Sequence, residues 1–530
     1  MEQRVVVALS RKSFVLSAAL SLCALLISAC PEPARADSPI QSIWPTKGWL
    51  TSTPEEQGMD ATELATLVAF GAGHSFDSLL VVRHGRIVTE AYYAPYTADI
   101  PHQIYSATKS ITGTLLGMVY KDGLLDRLDH PILDYFADRQ IADVDDRKKA
   151  ITVQNLLDMT SGFDWSQGFE GGKEQTRAEM DRSSNWTEFV LDRPMAHAPG
   201  QVYNYSNGDP HLLSAIITKL TGKAAGDYAK EKLFDPLGIA TWTWGRDPQG
   251  FTRGADNLSL LTRDMAKIGY LYLRHGEWEG QRLLPAGWAD VMGHATVNMH
   301  ATYDPNQRYS DLFWVFPGGR TFMANGLRGQ NIAVFPELDI VVVVTARRYV
   351  SQFALIEGIY AAVKSESALP PNPNAAALLA NGIKDAAIEK PTAVGPTPEM
   401  ASAISGKVYK FSDNELGLRS LTLFLTVPDP HAEYEISTHD QNNPLVKYDS
   451  PIGLDGLYRA GPPVISNDRV RRVPIAKGTW LDTQTFKIDS QDVGYGAQRK
   501  YLLSFSGRNL NLRRTDEDGR EVSVDGEQGE

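Results

Sequence analysis

The sequence predicts a mixed α/β region followed by a separate antiparallel β domain. In the first part, β-rich runs at residues 76–93 and 340–345 enclose a long stretch with helical periodicity, so we expect one sheet that distant segments complete and helices flank. In the second part, short alternating runs are separated by Gly, Asn, Asp and Pro. That pattern is typical of an antiparallel barrel or sandwich.

The composition excludes several other classes of protein. The chain has 530 residues, of which 42% are hydrophobic and 22% charged, so it is neither disordered nor fibrous. Its 52 basic and 64 acidic residues give a net charge of −12, which argues against nucleic acid as a partner. The two cysteines, Cys23 and Cys30, lie in the N-terminal segment, so a disulfide framework or a cysteine-ligated metal site in the body is excluded.

The N-terminal segment has the pattern of a secretory signal, because a basic stretch precedes an apolar run over residues 14–29. Two processing sites fit. An ordinary cleavage site would make residues 1–36 the signal, whereas a lipobox-like pattern ending at Cys30 would make it residues 1–29 and attach a lipid anchor there. We therefore expect an exported protein that is periplasmic, secreted or anchored to a membrane as a lipoprotein. The sequence predicts no particular oligomeric state.

The mixed region is predicted to span residues 40–368. Its first element is a β-hairpin that turns at His84 and Gly85. A helix is expected over residues 106–124, because apolar side chains recur there at helical spacing and a glycine marks the end. Further helices are predicted over residues 152–159, 209–220 and 262–273.

The second half of the prediction starts with a linker over residues 369–402, where proline and alanine accumulate and periodicity fades. A C-terminal β domain then spans residues 403–530. Trp480 and Tyr495 are expected in its core, and the alternative for both is a contribution to the rim of the substrate site. Its strands are predicted near residues 408–411, 421–426, 434–437, 485–488 and 501–505.

Candidate catalytic residues begin with Ser106 and Lys109, one helical turn apart at the start of the predicted helix. A serine hydroxyl becomes a good nucleophile when a base takes its proton, and a desolvated lysine can be neutral enough to do so. The helix N-terminus also favours developing negative charge. Ser-x-x-Lys alone occurs often by chance, so the assignment needs a second motif.

The second motif is Tyr205-Ser206-Asn207, in the turn before the predicted helix 209–220. A tyrosine beside a lysine either becomes a phenolate or relays the serine proton. An amide such as Asn207 orients either the lysine or the carbonyl of the substrate. We therefore predict that Ser106, Lys109 and Tyr205 are catalytic.

Together these motifs resemble those of the serine β-lactamase and penicillin-binding superfamily, in particular the class C β-lactamase-related branch that pairs Ser-x-x-Lys with Tyr-x-Asn. The resemblance covers residues 55–365 approximately. It implies a β-lactamase/transpeptidase-like antiparallel sheet flanked by helices, an acyl-enzyme on Ser106, activation of that serine by Lys109 and Tyr205, and catalysis without a metal or another cofactor.

The third motif of this superfamily, Lys-Thr-Gly or His-x-Gly, matches Ala324-Asn325-Gly326 without the cation. With Gly326 as the motif glycine, the N–H of Leu327 joins that of Ser106 in an oxyanion hole. An alternative register moves the motif glycine to residue 329 and makes the side chain of Gln330 the donor.

The missing cation at Ala324 bears on the substrate. In the superfamily that cation helps to bind a substrate carboxylate, so substrates that depend on one lose their usual anchor here. Arg328 is a candidate replacement, although an arginine in a turn is more often a solvated surface charge.

The form Gly326-x-x-Gly-Gln330, with the lead-in 44–49, looks most like the aminohexanoate-dimer hydrolase branch. This resemblance implies a serine hydrolase that cleaves small-molecule amides or carboxylic esters. Within the same class, the alternative is a D-alanyl carboxypeptidase or β-lactamase acting on peptidoglycan peptides or β-lactams. From a different class, the alternative is a non-catalytic sensor that keeps the penicillin-recognition fold.

Overall fold

The computed structural model describes residues 44–167, 175–290, 295, 297–299, 306–316, 321–437, 445–465, 471–496, 498–517 and 519–529. The predicted signal, including Cys30, lies outside the described residues. Within these ranges, no helix is both long enough and apolar enough to cross a membrane.

The mixed region contains short and long strands that precede residue 350. They are β1 (Leu50–Thr51), β2 (Phe76–Arg83), β3 (Arg86–Tyr92), β4 (His102–Gln103), β5 (Trp242–Trp244), β6 (Leu258–Leu260), β7 (Glu277–Trp278), β8 (Gln281–Arg282), β9 (Val297–Asn298), β10 (Arg308–Ser310), β11 (Phe313–Val315), β12 (Phe322–Gly326), β13 (Gln330–Phe335) and β14 (Ile340–Ala346).

The α-helices lie between these strands and after them. They are α1 (Ala61–Gly73), α2 (Ala107–Lys121), α3 (Asp146–Lys149), α4 (Val153–Leu157), α5 (Gln175–Arg182), α6 (Trp186–Leu191), α7 (Gly208–Thr221), α8 (Ala225–Ala229), α9 (Asp235–Leu237), α10 (Thr262–Leu273), α11 (Gln352–Ala362), α12 (Pro373–Ala386) and α13 (Glu399–Ile404).

The central sheet has nine strands within the described residues, in the order β1-β3-β2-β14-β13-β12-β11-β10-β9. Adjacent strands within this sheet are antiparallel, except that β1 is parallel to β3. The early hairpin β2–β3 therefore pairs with the late strand β14, as the sequence predicts. His84 and Gly85 turn this hairpin with φ values of 49° and 74°, the left-handed conformation that a tight two-residue turn of this kind requires.

Helices cover both faces of the central sheet. Along β14, Val341 and Val343 pack into the core shared with α2 and α10, whereas Val342 and Val344 pack into the core shared with α1, α11 and α12. Because successive side chains of a strand point to opposite faces, burial of every residue of β14 requires both layers. The predicted fold class is thereby confirmed for this region.

The segment that the sequence marks as a linker includes a helix. Helix α12 packs against α1 and β3, and its side chains Ala375 and Leu379 are buried there. Asn372 caps its start with a 3.1 Å hydrogen bond to the N–H of Ala375. The chain therefore packs along α1 and β3 of the mixed region before it enters the β domain.

The C-terminal β domain is built from strands of two to ten residues. They are β15 (Val408–Phe411), β16 (Leu418–Phe424), β17 (His431–Ser437), β18 (Leu445–Pro451), β19 (Arg459–Ala460), β20 (Val464–Ile465), β21 (Arg471–Trp480), β22 (Thr485–Val493), β23 (Gln498–Ser506), β24 (Asn509–Asp516) and β25 (Glu521–Gln528).

These strands form one antiparallel sheet that curls into a nearly closed barrel. The order is β18-β17-β16-β15-β25-β24-β23-β22-β21-β19, with β20 paired to β21. A bridge between Gly453, just after β18, and Lys477, in β21, brings the two sides together. Of the two architectures that the sequence left open, barrel and sandwich, the structure has the barrel.

The barrel contacts the mixed region close to the start of α2. The N–H of Gln103 donates a 2.6 Å hydrogen bond to the carbonyl of Gly494, in the turn after β22. A Cβ at Gly494, whose φ is 78°, would lie 2.4 Å from the carbonyl oxygen of Pro101, so a larger residue does not fit. Beside this contact lies a small apolar cluster formed by Tyr96, Ile100, Ile475 and Val493.

Candidate active site

Ser106 is the residue that precedes the first turn of α2. Helix α2 packs against α7 and β12, so this serine lies where three elements meet. The residue before it, Tyr105, has a φ of 47°, in the left-handed region that bulky side chains rarely adopt. The Oγ of Ser106 lies 3.0 Å from the Nζ of Lys109, as their one-turn spacing predicts.

Lys109 is the centre of the cluster, and only 1% of its surface is exposed. Its Nζ lies 3.0 Å from the Oγ of Ser106, 2.8 Å from the Oδ1 of Asn207 and 3.1 Å from the carbonyl oxygen of Ala255. The last two oxygens only accept hydrogen bonds, whereas a hydroxyl also donates. A neutral amine, with two N–H groups and a lone pair, can therefore bind both acceptors and receive the serine proton.

The surroundings of Lys109 favour that neutral form. Burial lowers the pKa of Lys109 to about 7, with a further lowering from Arg177 and an opposing effect from the charge of Asp256. Burial alone would raise the pKa of Asp256, but Arg253, whose Nε donates to it at 2.7 Å, holds that pKa at about 2. A substantial fraction of Lys109 is thus neutral near pH 7.

Tyr205 covers the same amine from one side. The Nζ of Lys109 lies 4.7 Å from the centre of its ring, and its hydroxyl is hydrogen-bonded to Ser106. Burial raises the pKa of Tyr205 above its usual value, and the bond to Ser106 opposes this only in part. Of the two roles that the sequence allows, proton relay therefore fits better than phenolate.

Asn207 owes its position to the start of α7. The Oγ of Ser206 accepts hydrogen bonds from the N–H groups of Gly208, at 2.9 Å, and Asp209, at 3.2 Å, and so caps the helix. The backbone N–H of Asn207 donates to Gln167, which leaves its side-chain oxygen directed at Lys109. Asn207 thus orients the lysine.

Gly326 brings strand β12 against the start of α2. A Cβ at this position would lie 2.2 Å from the carbonyl oxygen of Ile104 and 3.1 Å from the N–H nitrogen of Ala107, so glycine is required. Leu327 follows Gly326 directly, and 57% of its surface is exposed. The pair of backbone N–H groups proposed for the oxyanion hole, from Ser106 and Leu327, is compatible with this placement.

Gln330 does not serve the alternative register. Its side-chain N–H groups donate to the carbonyl oxygens of Leu327, at 3.1 Å, and Ala346, at 2.7 Å, and its Oε1 accepts from the N–H of Ala346. The side chain is fully buried between β13 and β14 and has no N–H left for a substrate. We correct the assignment of Gln330 from oxyanion donor to a residue that joins strands.

Arg328 is held by the barrel. Its Nη1 donates to the hydroxyl of Tyr105 at 2.6 Å and to the carbonyl of Tyr495 at 3.2 Å, and its other nitrogen forms an ion pair with Glu517. The hydroxyl of Tyr105 in turn donates to the same carbonyl of Tyr495. The charge of Arg328 is therefore matched by Glu517, which argues against a role as a substrate anchor.

Three features of this site escape sequence reasoning. Asp256 and Arg253 tune the cluster but match no motif. Tyr495, expected in the barrel core, is instead half-buried beside Tyr105, the residue that precedes the nucleophile in sequence. The two tyrosines are 390 positions apart, and no pattern in the sequence links them.

A cleft of about 700 Å³ begins at the rim of the site. Leu327 and Arg328 line its mixed-region side, and Lys500, Asp516 and Glu517 are among the barrel residues that line the other. The barrel therefore forms one side of a cleft that borders Leu327.

The β-lactamase family profile matches residues 65–364, which include Ser106, Lys109, Tyr205 and Gly326. The chain belongs to the β-lactamase family. The resemblance predicted from the motifs is thereby confirmed, and since the members of this family are serine hydrolases, the protein is a hydrolase.

Among curated relatives, the chain is 26% identical over 290 residues to the 6-aminohexanoate-dimer hydrolase of Paenarthrobacter ureafaciens, which covers 50% of this chain and 71% of that enzyme. It is 24% identical over 239 residues to a putative D-alanyl-D-alanine carboxypeptidase of Escherichia coli O157:H7, covering 40% of this chain and 55% of that protein. Among solved structures, a putative 6-aminohexanoate-dimer hydrolase from Bacillus anthracis superposes with a TM-score of 0.48 at 19% identity, covering 64% of this chain and 87% of that one.

Proposed function

We propose that this β-lactamase-family protein is an exported serine hydrolase that cleaves small-molecule amides or carboxylic esters through an acyl-enzyme on Ser106. The observation that carries the proposal is the position of the Lys109 amine, which lies 3.0 Å from the serine oxygen. Burial of this amine lowers its pKa to about 7. Such an amine is a base matched to neutral pH.

The first half of the reaction forms the acyl-enzyme. Neutral Lys109 takes the hydroxyl proton as the Oγ of Ser106 bonds to the substrate carbonyl carbon, and the carbonyl oxygen becomes an oxyanion. The backbone N–H groups of Ser106 and Leu327 stabilise that oxyanion. When the intermediate collapses, the bond to the leaving group breaks, and Tyr205 passes the proton from Lys109 to the departing amine or alkoxide.

The second half reverses these roles. Water enters, Lys109 and Tyr205 take one of its protons, and the resulting hydroxide attacks the acyl carbon. The Oγ of Ser106 leaves and recovers its proton from Lys109. Asn207 supports both halves because its oxygen keeps the lysine amine directed at the serine.

Two observations support amides or esters that do not depend on the usual carboxylate anchor as the substrate class. The relative from Paenarthrobacter ureafaciens is named a 6-aminohexanoate-dimer hydrolase. In addition, Ala324 offers only a buried methyl group where related enzymes carry a cation. Loss of one charge-assisted hydrogen bond costs about 1.5 to 3 kcal/mol, roughly 10- to 150-fold in kcat/KM.

A hydrolysis screen tests the proposal. Wild type and Ser106→Ala are compared on p-nitrophenyl esters, anilides, ω-amino-acid amides and nitrocefin. We expect wild type to hydrolyse uncharged esters or amides and to turn over nitrocefin feebly, with the variant inactive on all of them. Turnover by clean variant protein would overturn the mechanism, and a preference for nitrocefin would overturn the substrate class.

The relative from Escherichia coli keeps a second candidate function open, that of a D-alanyl carboxypeptidase or β-lactamase. Exposure to a fluorescent penicillin separates the two, because durable labelling at Ser106 favours this second candidate. Labelling by a fluorophosphonate excludes a non-catalytic sensor, since only an activated serine reacts.

Export is tested on the protein recovered from cell fractions. N-terminal sequencing is expected to find a chain that begins at Asp37, or a lipid-modified Cys30 in the membrane fraction. A protein that keeps its first residues in the cytoplasm would contradict export.

A further inference from the structure

The cleft that borders Leu327 lies between the mixed region and the barrel and is rich in charge. Eight of the described residues that line it are charged, five of them basic and three acidic. A second cavity, also of about 700 Å³, lies inside the barrel, where Leu421, Leu503 and Leu512 are among the residues that line it. Only the cleft is lined by residues of both regions.

The acidic residues of the cleft are already matched by cations. Each forms an ion pair, in the pairs Asp489–Lys487 at 2.7 Å, Asp516–Arg514 at 2.9 Å and Glu517–Arg328. None of the three carboxylates is therefore left to balance a further cation of the cleft.

Two of the basic residues are not matched. The other three have carboxylate partners, in the pairs Arg328–Glu517, Arg347–Asp77 at 3.1 Å and Arg499–Asp492 at 3.0 Å. Arg348 and Lys500 are exposed, and their side chains form no ion pair or hydrogen bond with any residue that the structure describes. In a chain with a net charge of −12, this cleft thus holds two positive charges in excess.

The cleft also offers exposed apolar surface next to the candidate oxyanion hole. Leu327 and Tyr349 both line it, and they expose 57% and 67% of their surfaces. Methylene groups of a substrate gain free energy when they cover such side chains. A substrate whose carbonyl oxygen binds the N–H of Leu327 can therefore extend one of its ends along the leucine side chain into the cleft.

We propose that the cleft binds a carboxylate at the far end of the substrate, with Arg348 and Lys500 as its partners and a methylene chain against Leu327 and Tyr349. The inference rests on the proposed function and narrows its substrate class to amides or esters that carry a carboxylate remote from the scissile carbonyl. Arginine suits this role because its planar guanidinium matches a carboxylate in a bidentate pair. Arg348 follows β14 and Lys500 lies in β23, so each region supplies one partner.

Steady-state kinetics of the full chain on two matched pairs of substrates test this proposal. The pair that varies the acyl group is mono-p-nitrophenyl adipate with p-nitrophenyl hexanoate. The pair that varies the leaving group is N-hexanoyl-6-aminohexanoate with N-hexylhexanamide. In at least one pair, we expect wild type to favour the carboxylate about 5-fold or more in kcat/KM, mainly through a lower KM, because exposed ion pairs contribute to binding more than to chemistry.

The variants are compared by the ratio of kcat/KM within that pair, which cancels a general loss of folded enzyme. Arg348→Gln with Lys500→Gln should bring the ratio to about 1. The matched control is Lys410→Gln with Arg513→Gln, which also removes two exposed cations without partners, neither of which lines the cleft, and it should keep the wild-type ratio. If the first double variant does not fold, Lys500→Glu should still lower the ratio further than Lys500→Gln, and added salt should lower it in wild type.

The possible failures are distinguishable. Turnover of both members of each pair at equal kcat/KM would overturn the carboxylate site and leave the hydrolase standing. An unchanged ratio in Arg348→Gln with Lys500→Gln, or an equal loss in the control, would also overturn the site. Absence of turnover of all four substrates would overturn the proposed function together with it.

Discussion

The mixed region and the barrel both rest on antiparallel sheets, but they use the interior differently. Helices cover both faces of the central sheet, and the polar side chains of the candidate site each have several partners, as Lys109 has with three oxygens. In the barrel, aromatic side chains fill only one end of the interior. The first region fixes the positions of a few atoms, whereas the second maintains a space.

Because of this difference, substitutions in the two regions should have different effects. Changes at the Ser106 cluster should alter the rate of chemistry, because each atom there has a defined partner. Changes inside the barrel cavity should leave that rate largely unchanged. The contact between Tyr105 and Tyr495 is where the two regions meet near the nucleophile, so it is the place where the division should fail.

The largest effect is expected from Ser106→Ala. Loss of the hydroxyl removes the covalent route, so kcat should fall about 10⁴-fold or more and fluorophosphonate labelling should vanish. Ser110→Ala, which deletes another buried hydroxyl of the same helix, one bonded to the carbonyl of Leu312, is the matched control and should keep most activity. Equal loss in both variants would point to damage to α2 in place of a lost nucleophile.

The next effect concerns the two residues that move the proton. Lys109→Met and Tyr205→Phe should each lower kcat by about 10²-fold or more, and the double variant should lose much less than the product of the two, because they act on one proton. Lys121→Met, at the exposed end of α2, is the control for the lysine. Steady-state kinetics of the four variants decide the point, and independent, multiplicative losses would contradict a shared role.

The pH dependence should follow Lys109. Its pKa is lowered from the usual value for lysine to about 7, and only the neutral amine accepts the serine proton. As pH falls below 7, kcat/KM should therefore fall about 10-fold per pH unit, and it should level off above pH 8. Burial raises the pKa of Tyr205, so the phenol should still donate in mildly alkaline solution. A rate that is flat or rises toward pH 5 would contradict Lys109 as the base.

The smallest effect tests the link between the regions. Tyr105→Phe removes the hydroxyl that donates to Tyr495 and accepts from Arg328, a loss of about 1 kcal/mol or roughly 5-fold in kcat/KM if it shifts the start of α2. Tyr409→Phe is the control, because that barrel tyrosine is buried and its hydroxyl has no hydrogen-bond partner among the described residues. Unchanged kcat/KM in Tyr105→Phe would show that this contact with the barrel contributes nothing to the reaction.

Local patterns in the sequence predict the helices that carry the site, but they do not predict the contacts that lower the pKa of Lys109. The spacing of Ser106 and Lys109 predicts the start of α2, since neighbours on one helical turn need no distant partner. The burial that lowers the pKa of Lys109 depends on Asn207 and Ala255, which are 98 and 146 positions away. Only the packing of α2 against α7 brings them together.

The sequence also does not predict the role of Gln330 or decide between a barrel and a sandwich, because both depend on which strands become neighbours. The pairing of Gly326 with Gln330 across β12 and β13 turns the glutamine toward β14, and spacing along the chain does not reveal that direction. Closure of the barrel depends on the bridge between Gly453 and Lys477. Short alternating runs predict strands, but they do not say where the last strand finds its neighbour.

At Tyr105, selection for stability and selection for activity favour different residues. Its φ of 47° favours glycine, and a bulky residue there costs about 1 to 3 kcal/mol of stability. Its hydroxyl is nevertheless the group that joins the residue before the nucleophile to Tyr495 and Arg328. Selection for stability alone would replace the tyrosine by glycine, whereas selection for activity would retain it, so libraries screened only for heat resistance should lose this side chain first.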